Sequence, residues 1–267
     1  MEVVVPIILL IAVTIFATYN TYLYFTDAPL IIDGPWWVMW LIVLGLFIFI
    51  IVFINIRKRL LKQLQQSITD KAQVDLNLGE HEYFLQTPIY LFHSLKIPIF
   101  NNDHTPLSYE IKYDTILNKY ASALSTIFVG CSLEIESPQH KVYLKSHFFT
   151  VHYGYDVYLD DEKIGTFKMK KLIGKDSGIK QQLPYQFCGK DFTYNLHNPY
   201  MSQTTDIKDE ADKVVMKARR SFLDMSKHKL TKQRGEKHEI EFFAASLPVE
   251  VFLGLYVIAI LNKNIQR

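Results

Sequence analysis

Near the carboxyl end, Pro248–Asn262 reads PVEVFLGLYVIAILN, and 11 of its 15 residues are apolar. The apolar residues lie on every side of a helix, so the helix must be surrounded by something that is not water. As a helix it spans only about 22 Å, too short for a bilayer core of roughly 30 Å, and Glu250 sits in its first turn. Ser246 can cap its start. Glu250 suits the positive end of the helix dipole, while Lys263 and Arg267 suit the negative end. The sequence therefore predicts a helix over 248–262 buried in protein. The material able to surround it is the run of strands that precedes it. Short segments alternating β-branched and aromatic residues with polar ones occur at Leu107–Tyr113, Ser132–Glu136, Lys141–Thr150, Asp156–Leu159, Ile164–Lys170, Phe192–Leu196, Lys213–Met225 and His238–Phe243. Their spacing of 8–12 residues suits an antiparallel meander closing into a barrel or sandwich, not βαβ units. Asp160–Lys163 is read as a hairpin turn. Asn118–Gly130 fits a short helix or a strand equally well.

The amino-terminal part obeys a different rule. Val3–Phe25 is 23 residues without a charge, 18 of them apolar, and Trp36–Ile56 is 21 residues without a charge, 19 of them apolar. Each is long enough to cross a bilayer as a helix. A signal peptide does not fit, because the first run has no basic leader, is too long, and has a second span close behind. The link TDAPLIIDGP breaks the helix at Pro29, Gly34 and Pro35. All three tryptophans, Trp36, Trp37 and Trp40, stand at one end of the second span, at headgroup level. Asn20 and Asn55 near the span ends suit interfacial placement better than transport. No Asp, Glu, Lys, Arg or His lies inside either span, which argues against an ion relay. Arg57, Lys58, Arg59 and Lys62 follow the second span and the link carries no basic residue, so the positive-inside rule places both termini and the globular part in the cytosol. Cys131 and Cys188 are then reduced thiols. Residues 57–80 form a basic amphipathic juxtamembrane helix and linker, with Leu60, Leu61, Leu64 and Ile68 on one face. This helix continues the second span and also suits an anionic lipid surface. The expected architecture is thus a transmembrane hairpin (1–56), the juxtamembrane segment (57–80), and an all-β antiparallel barrel (81–267) enclosing the C-terminal helix.

A barrel threaded by an apolar C-terminal helix is uncommon. The ending HEIEFFAASLPVEVFLGLYVIAILNKN resembles the last strand and central helix of the tubby C-terminal-like superfamily, which includes tubby proteins, LURP-one-related proteins and phospholipid scramblases. The pair YDVYLDDEKIGTFKMKK is similar to a strand pair of the LURP-one branch, in which a short acidic turn precedes an Ile-Gly step. The resemblance covers roughly residues 85–267. Asn262 stands where many members of that branch carry an acidic residue, and no scramblase calcium motif occurs. The resemblance implies the barrel-around-helix fold and, as in tubby proteins, phosphoinositide binding by basic residues on the barrel.

Catalytic motifs are absent. HEIEF at 238–242 lacks the second histidine of HExxH, and Glu80, His81 and Glu82 point different ways as neighbours in a strand or loop. LIGKDSGIK at 172–180 has Gly174-Lys175 without the earlier glycine of a phosphate loop. Cys188 before Gly189 reads as a small residue in a sheet. No cofactor, metal ion or catalytic residue is expected. The basic residues make the one constellation of substance. Residues 213–237 hold nine Lys and Arg against Asp224 and Glu236. Lys168, Lys170, Lys171 and Lys175 form a second cluster, with Lys168 and Lys170 on one strand face. The expected anion- or lipid-binding set is Lys168, Lys170, Lys171, Lys217, Arg219, Arg220, Lys227, Lys229, Lys232 and Arg234, with Arg57, Lys58, Arg59 and Lys62 nearest the membrane; ordinary solvated strand surface is the competing reading. Membrane lipids are the expected partner, a protein partner the alternative. Residues 57–267 carry only +5 net and no RNA-binding signature, which argues against nucleic acid. The expected function is a non-enzymatic module that binds anionic headgroups or a protein partner at the inner membrane face. The alternatives are a scramblase-like lipid-moving protein and an enzyme using the barrel mouth.

Overall fold

The computed structural model describes residues 4–29, 31–32, 34–69, 78–88, 95–103, 105–113, 131–147, 154–170, 184–199, 202–221, 235–243 and 245–265. Two helices come first, α1 (Val4–Phe25) and α2 (Trp36–Thr69). Each contains a stretch long and apolar enough to cross a membrane, Pro6–Phe25 and Trp36–Ile56. Helix α2 runs without a break past Ile56 to Thr69, so residues 57–69 extend the second apolar helix. Asn20 is buried between the helices. Its Oδ1 accepts from the Ile31 and Ile32 N–H groups at 3.2 and 3.4 Å, and its Nδ2 donates to the Ile32 carbonyl. Trp40 Nε1 donates to Thr21 Oγ1 at 3.1 Å. These bonds satisfy backbone groups of the link that lipid could not.

Twelve antiparallel strands follow: β1 (Glu82–Pro88), β2 (Ile97–Asn101), β3 (Leu107–Lys112), β4 (Ser132–Glu136), β5 (Lys141–Ser146), β6 (Gly154–Leu159), β7 (Glu162–Met169), β8 (Tyr185–Cys188), β9 (Thr193–His197), β10 (Thr204–Lys208), β11 (Val214–Arg220) and β12 (Gly235–Phe242). Each pairs with its neighbour in sequence, and β1 pairs with β12 from Glu82↔Glu241 to Pro88↔Gly235, closing the barrel. Closure leaves no free edge. The β6–β7 hairpin turns on Asp160 and Asp161, both at positive φ (49° and 70°), the two-residue geometry that matches strand twist and that Asp tolerates. Four strands escaped the sequence reading: β1, β2, β8 and β10. The strand expected at 213–225 ends at Arg220, and 222–225 lie outside the described residues, as does 118–130.

The last helix, α3 (Val249–Ile265), begins after β12 and runs back through the barrel. Eight strands would fill their own interior, whereas twelve leave space for one helix, roughly 10–12 Å wide. Val251 to Leu261 are buried to 4% exposure or less, apart from the side-chain-free Gly254. The helix meets strands on all sides. Phe252 packs edge-on to Tyr194 at 4.9 Å and against Phe242, and Tyr256 meets His238. At Gly254 a Cβ would lie 2.8 Å from Leu144 Cδ1, so the helix approaches β5 closely there. Burying each large aliphatic or aromatic side chain contributes about 1.5–3 kcal/mol, which makes α3 the nucleus of the core. Asn262, near its C-terminal end, is fully buried. Its Oδ1 accepts from Tyr155 Oη at 2.9 Å and its Nδ2 donates to Tyr185 Oη at 2.8 Å.

The meander sorts its connections. The short turns 102–106, 137–140, 160–161, 189–192 and 209–213 leave one end of the barrel. The connections 89–96, 113–131, 147–153, 170–184, 198–203 and 221–234 leave the other, called here the loop end. The chain enters at the short-turn end, through Gly79 into β1, and α3 finishes at the loop end beside Tyr155 and Tyr185.

Candidate functional site

Strand alternation decides which basic residues reach solvent. Lys168 and Lys170 are exposed on the outer face of β7 and just beyond it, with Phe167 buried inside, so they do share a face. Lys170 Nζ donates to Asn195 Oδ1 at 2.8 Å. On β11, Lys217 and Arg219 are exposed, and Met216 and Ala218 are buried inside. The register sets Lys217 between Asp206 and Glu241, and Arg219 between Thr204 and Glu239, so carboxylates dilute this face. Strands β8, β9 and β10 separate the two clusters, roughly 19 Å along the sheet, so the wall does not join them into one patch. Lys171, Lys227, Lys229, Lys232 and Arg234 lie outside the described residues, as do the side chains of Arg57, Lys58 and Lys62. Arg59 is exposed on α2.

Arg220, which the sequence reading placed in the anion-binding set, does not reach the barrel surface. It follows Met216 and Ala218 in phase, points inward, and is 5% exposed. The reason is the register: Arg220 pairs with His238, which pairs with Leu85, and Glu236 pairs with Thr87. These residues share the inner face at the loop end. Arg220 Nη1 lies 3.9 Å from Glu236 Oε1. His238 is wholly buried, with Nε2 2.5 Å from Thr87 Oγ1 and Nδ1 2.8 Å from Tyr256 Oη. Burial first, and the Arg220 charge second, hold His238 down to about 3, so it is neutral at ordinary pH. Burial likewise raises the Tyr256 phenol. A neutral imidazole offers one donor and one acceptor, so one hydroxyl donates to it and the other accepts from it. Thr87–His238–Tyr256 has the outline of a nucleophile, a base and an orienting group. A base held near 3 is mismatched to proton abstraction at neutral pH, so the chain reads as a bridge pinning β1, β12 and α3 together.

Among the described residues no group of three or more His, Cys, Asp or Glu is placed to hold a metal ion. Cys131 is buried and Cys188 exposed, and the two form no disulfide. The inner cluster was half legible: period-two alternation through KARR and HEIEF puts Arg220 with Ala218 and His238 with Ile240. Thr87 and Tyr256 carried no local signal, because only the closing β1–β12 pair and the threaded helix bring them in. No protein-family description, curated protein or solved structure matches the chain.

Proposed function

We propose that this chain is a membrane-tethered, non-enzymatic module whose barrel binds anionic lipid headgroups through its loop end at the inner membrane face. The observation that carries the reading is the segregation of charge between the two ends. By sequence, the connections of the loop end hold ten Lys and Arg against Asp114, Asp176 and Asp224. Those of the short-turn end hold Lys190 and Lys213 against seven Asp and Glu. Lys171, Lys227, Lys229, Lys232 and Arg234 all fall in loop-end connections, so topology gathers by their attachment points what the wall keeps apart. Each basic residue near an anionic leaflet contributes about 1 kcal/mol, and a negative surface repels the opposite end. Among the described barrel residues Phe243 is the one large apolar side chain counted as exposed, which favours a charged partner over an apolar docking face. The basic run Arg57, Lys58, Arg59 and Lys62, which follows the apolar stretch of α2, supports a cytosolic barrel. Kinship with the tubby-like superfamily belongs to the same proposal, and a barrel closed around a C-terminal helix supports it.

The test uses the full chain in neutral phosphatidylcholine nanodiscs, mixed with vesicles with and without phosphatidylserine. Binding should require the anionic lipid and weaken as salt rises. Replacing Lys227, Lys229, Lys232 and Arg234 together by Glu should reduce it by roughly tenfold or more. Unchanged binding of that variant rejects the reading.

A further inference from the structure

The inner cluster at the loop end contains polar atoms that the described residues leave unsatisfied. Glu236 Oε2 is buried without a hydrogen-bond partner among them, 4.0 Å from His238 Nε2. At the same end Asn198, 3% exposed and in phase with inward-facing Tyr194 and Leu196, has a buried Oδ1 that also lacks one. Arg220 and Glu236 face each other at 3.9 Å, whereas a closed pair of this kind sits near 2.7–2.9 Å. The Glu236 side chain keeps 20% of its surface exposed, so solvent reaches the pair. A buried acceptor without a donor calls for an explanation, and a bound group supplies one.

The charge balance selects the group. Arg220 and Glu236 cancel, and His238 and Tyr256 beside them are uncharged. A simple anion or cation would leave a net charge in a poorly solvated place, which is costly; a molecule carrying both charges leaves none. The orphaned carboxylate oxygen calls for a donor, and the guanidinium calls for an acceptor.

We propose that the inner cluster at the loop end binds a small zwitterionic group, its ammonium on Glu236 and its anionic oxygen on Arg220. The chemistry is that of an aminoalkyl phosphodiester, free in solution or as the headgroup of an ethanolamine lipid. The proposal rests on Arg220 and Glu236 and does not depend on the connections binding an anionic surface.

Calorimetry on the full chain in uncharged detergent micelles tests it, with glycerophosphoethanolamine, a diester with one charge of each sign, as the probe. Glycerophosphocholine lacks the N–H donors, ethanolamine carries only positive charge and inorganic phosphate only negative charge. Saturable binding of glycerophosphoethanolamine is expected, with the other three about tenfold weaker or more. Glu236→Gln should erase the preference over glycerophosphocholine, and Arg220→Gln should abolish binding. Near-UV tyrosine signals check that both variants keep the barrel. Uncharged vesicles of phosphatidylcholine with or without phosphatidylethanolamine identify the source: capture only with the ethanolamine lipid assigns a headgroup, and binding of the soluble probe alone assigns a free solute. Failure of both arms overturns the proposal, as does equal binding of inorganic phosphate or a preference that survives Glu236→Gln. Anionic vesicles play no part, so this failure is distinct from failure of the anionic-surface reading.

Discussion

His238 makes a quantitative prediction about acid. Its folded value is about 3 against an ordinary 6.5, and the cause is burial between Thr87 and Tyr256, helped by Arg220. The sign follows directly. Above pH 6.5 the imidazole is neutral folded and unfolded, so the barrel has its full stability. Below pH 6.5 the unfolded chain takes up a proton that the folded one refuses, and stability falls until the pH reaches about 3. One pH unit corresponds to about 1.4 kcal/mol, so the site costs roughly 5 kcal/mol at the acid limit and between 2 and 3 kcal/mol by about pH 4.5. The perturbation is His238→Gln, which keeps a donor and an acceptor and removes the titration. The assay is urea unfolding of the full chain in micelles at a series of pH values, followed by near-UV tyrosine dichroism. The barrel interior holds Tyr109, Tyr155, Tyr185, Tyr194 and Tyr256, while all three tryptophans belong to the hairpin, so the two parts report separately. Wild type should lose stability between pH 6.5 and 4.5 relative to the variant. Other titrating groups cancel in the difference. Parallel curves, or a difference under about 1 kcal/mol, would refute a buried neutral histidine at this place.

Other perturbations address separate parts of the structure. Asn262→Leu strips partners from the buried hydroxyls of Tyr155 and Tyr185 and should destabilise the barrel by about 2–4 kcal/mol in the same urea assay. At Gly165 a Cβ would stand 2.4 Å from the Cys188 carbonyl oxygen and 2.8 Å from the Phe187 ring; Gly165→Ala should cost about 1–3 kcal/mol, against near neutrality if the strands can part. Asn20→Leu releases the Ile31 and Ile32 amides and should speed their hydrogen exchange without unfolding the barrel. Cys188 is exposed and Cys131 buried, so a membrane-impermeant maleimide should label one thiol, and only after cells are permeabilised; labelling of intact cells would place the barrel outside.

Legibility varied along the chain with the strength of the local pattern. Ser132–Glu136 and the turn at Asp160 were read from the residues alone, because alternation and paired aspartates are local signals. Three of the four missed strands are short or interrupted. Tyr185–Cys188 has four residues, Ile97–Asn101 contains Pro98, and Thr204–Lys208 has a single aliphatic side chain, Ile207. Such segments become strands because their neighbours offer them a ladder, and neighbours are invisible in a window of sequence. The basic residues show the same limit. Counting charges identified Arg219 and Arg220 together, but consecutive strand residues face opposite ways, and alternation groups Arg220 with Ala218 while only the register shows what it meets inside.

The amino acids alone determined that two uncharged runs would form helices long enough to span a bilayer, that alternating segments would form an antiparallel sheet, and that an apolar helix too short for lipid would be wrapped by it. Burial and backbone satisfaction impose those results wherever the residues stand in space. Tertiary structure alone decided that β1 closes on β12, that the connections sort into a short acidic end and a long basic one, and that Arg220, Glu236, His238 and Tyr256 meet inside. Those outcomes depend on pairings between residues as far apart as Glu82 and Glu241, and no local preference encodes a partner that distant.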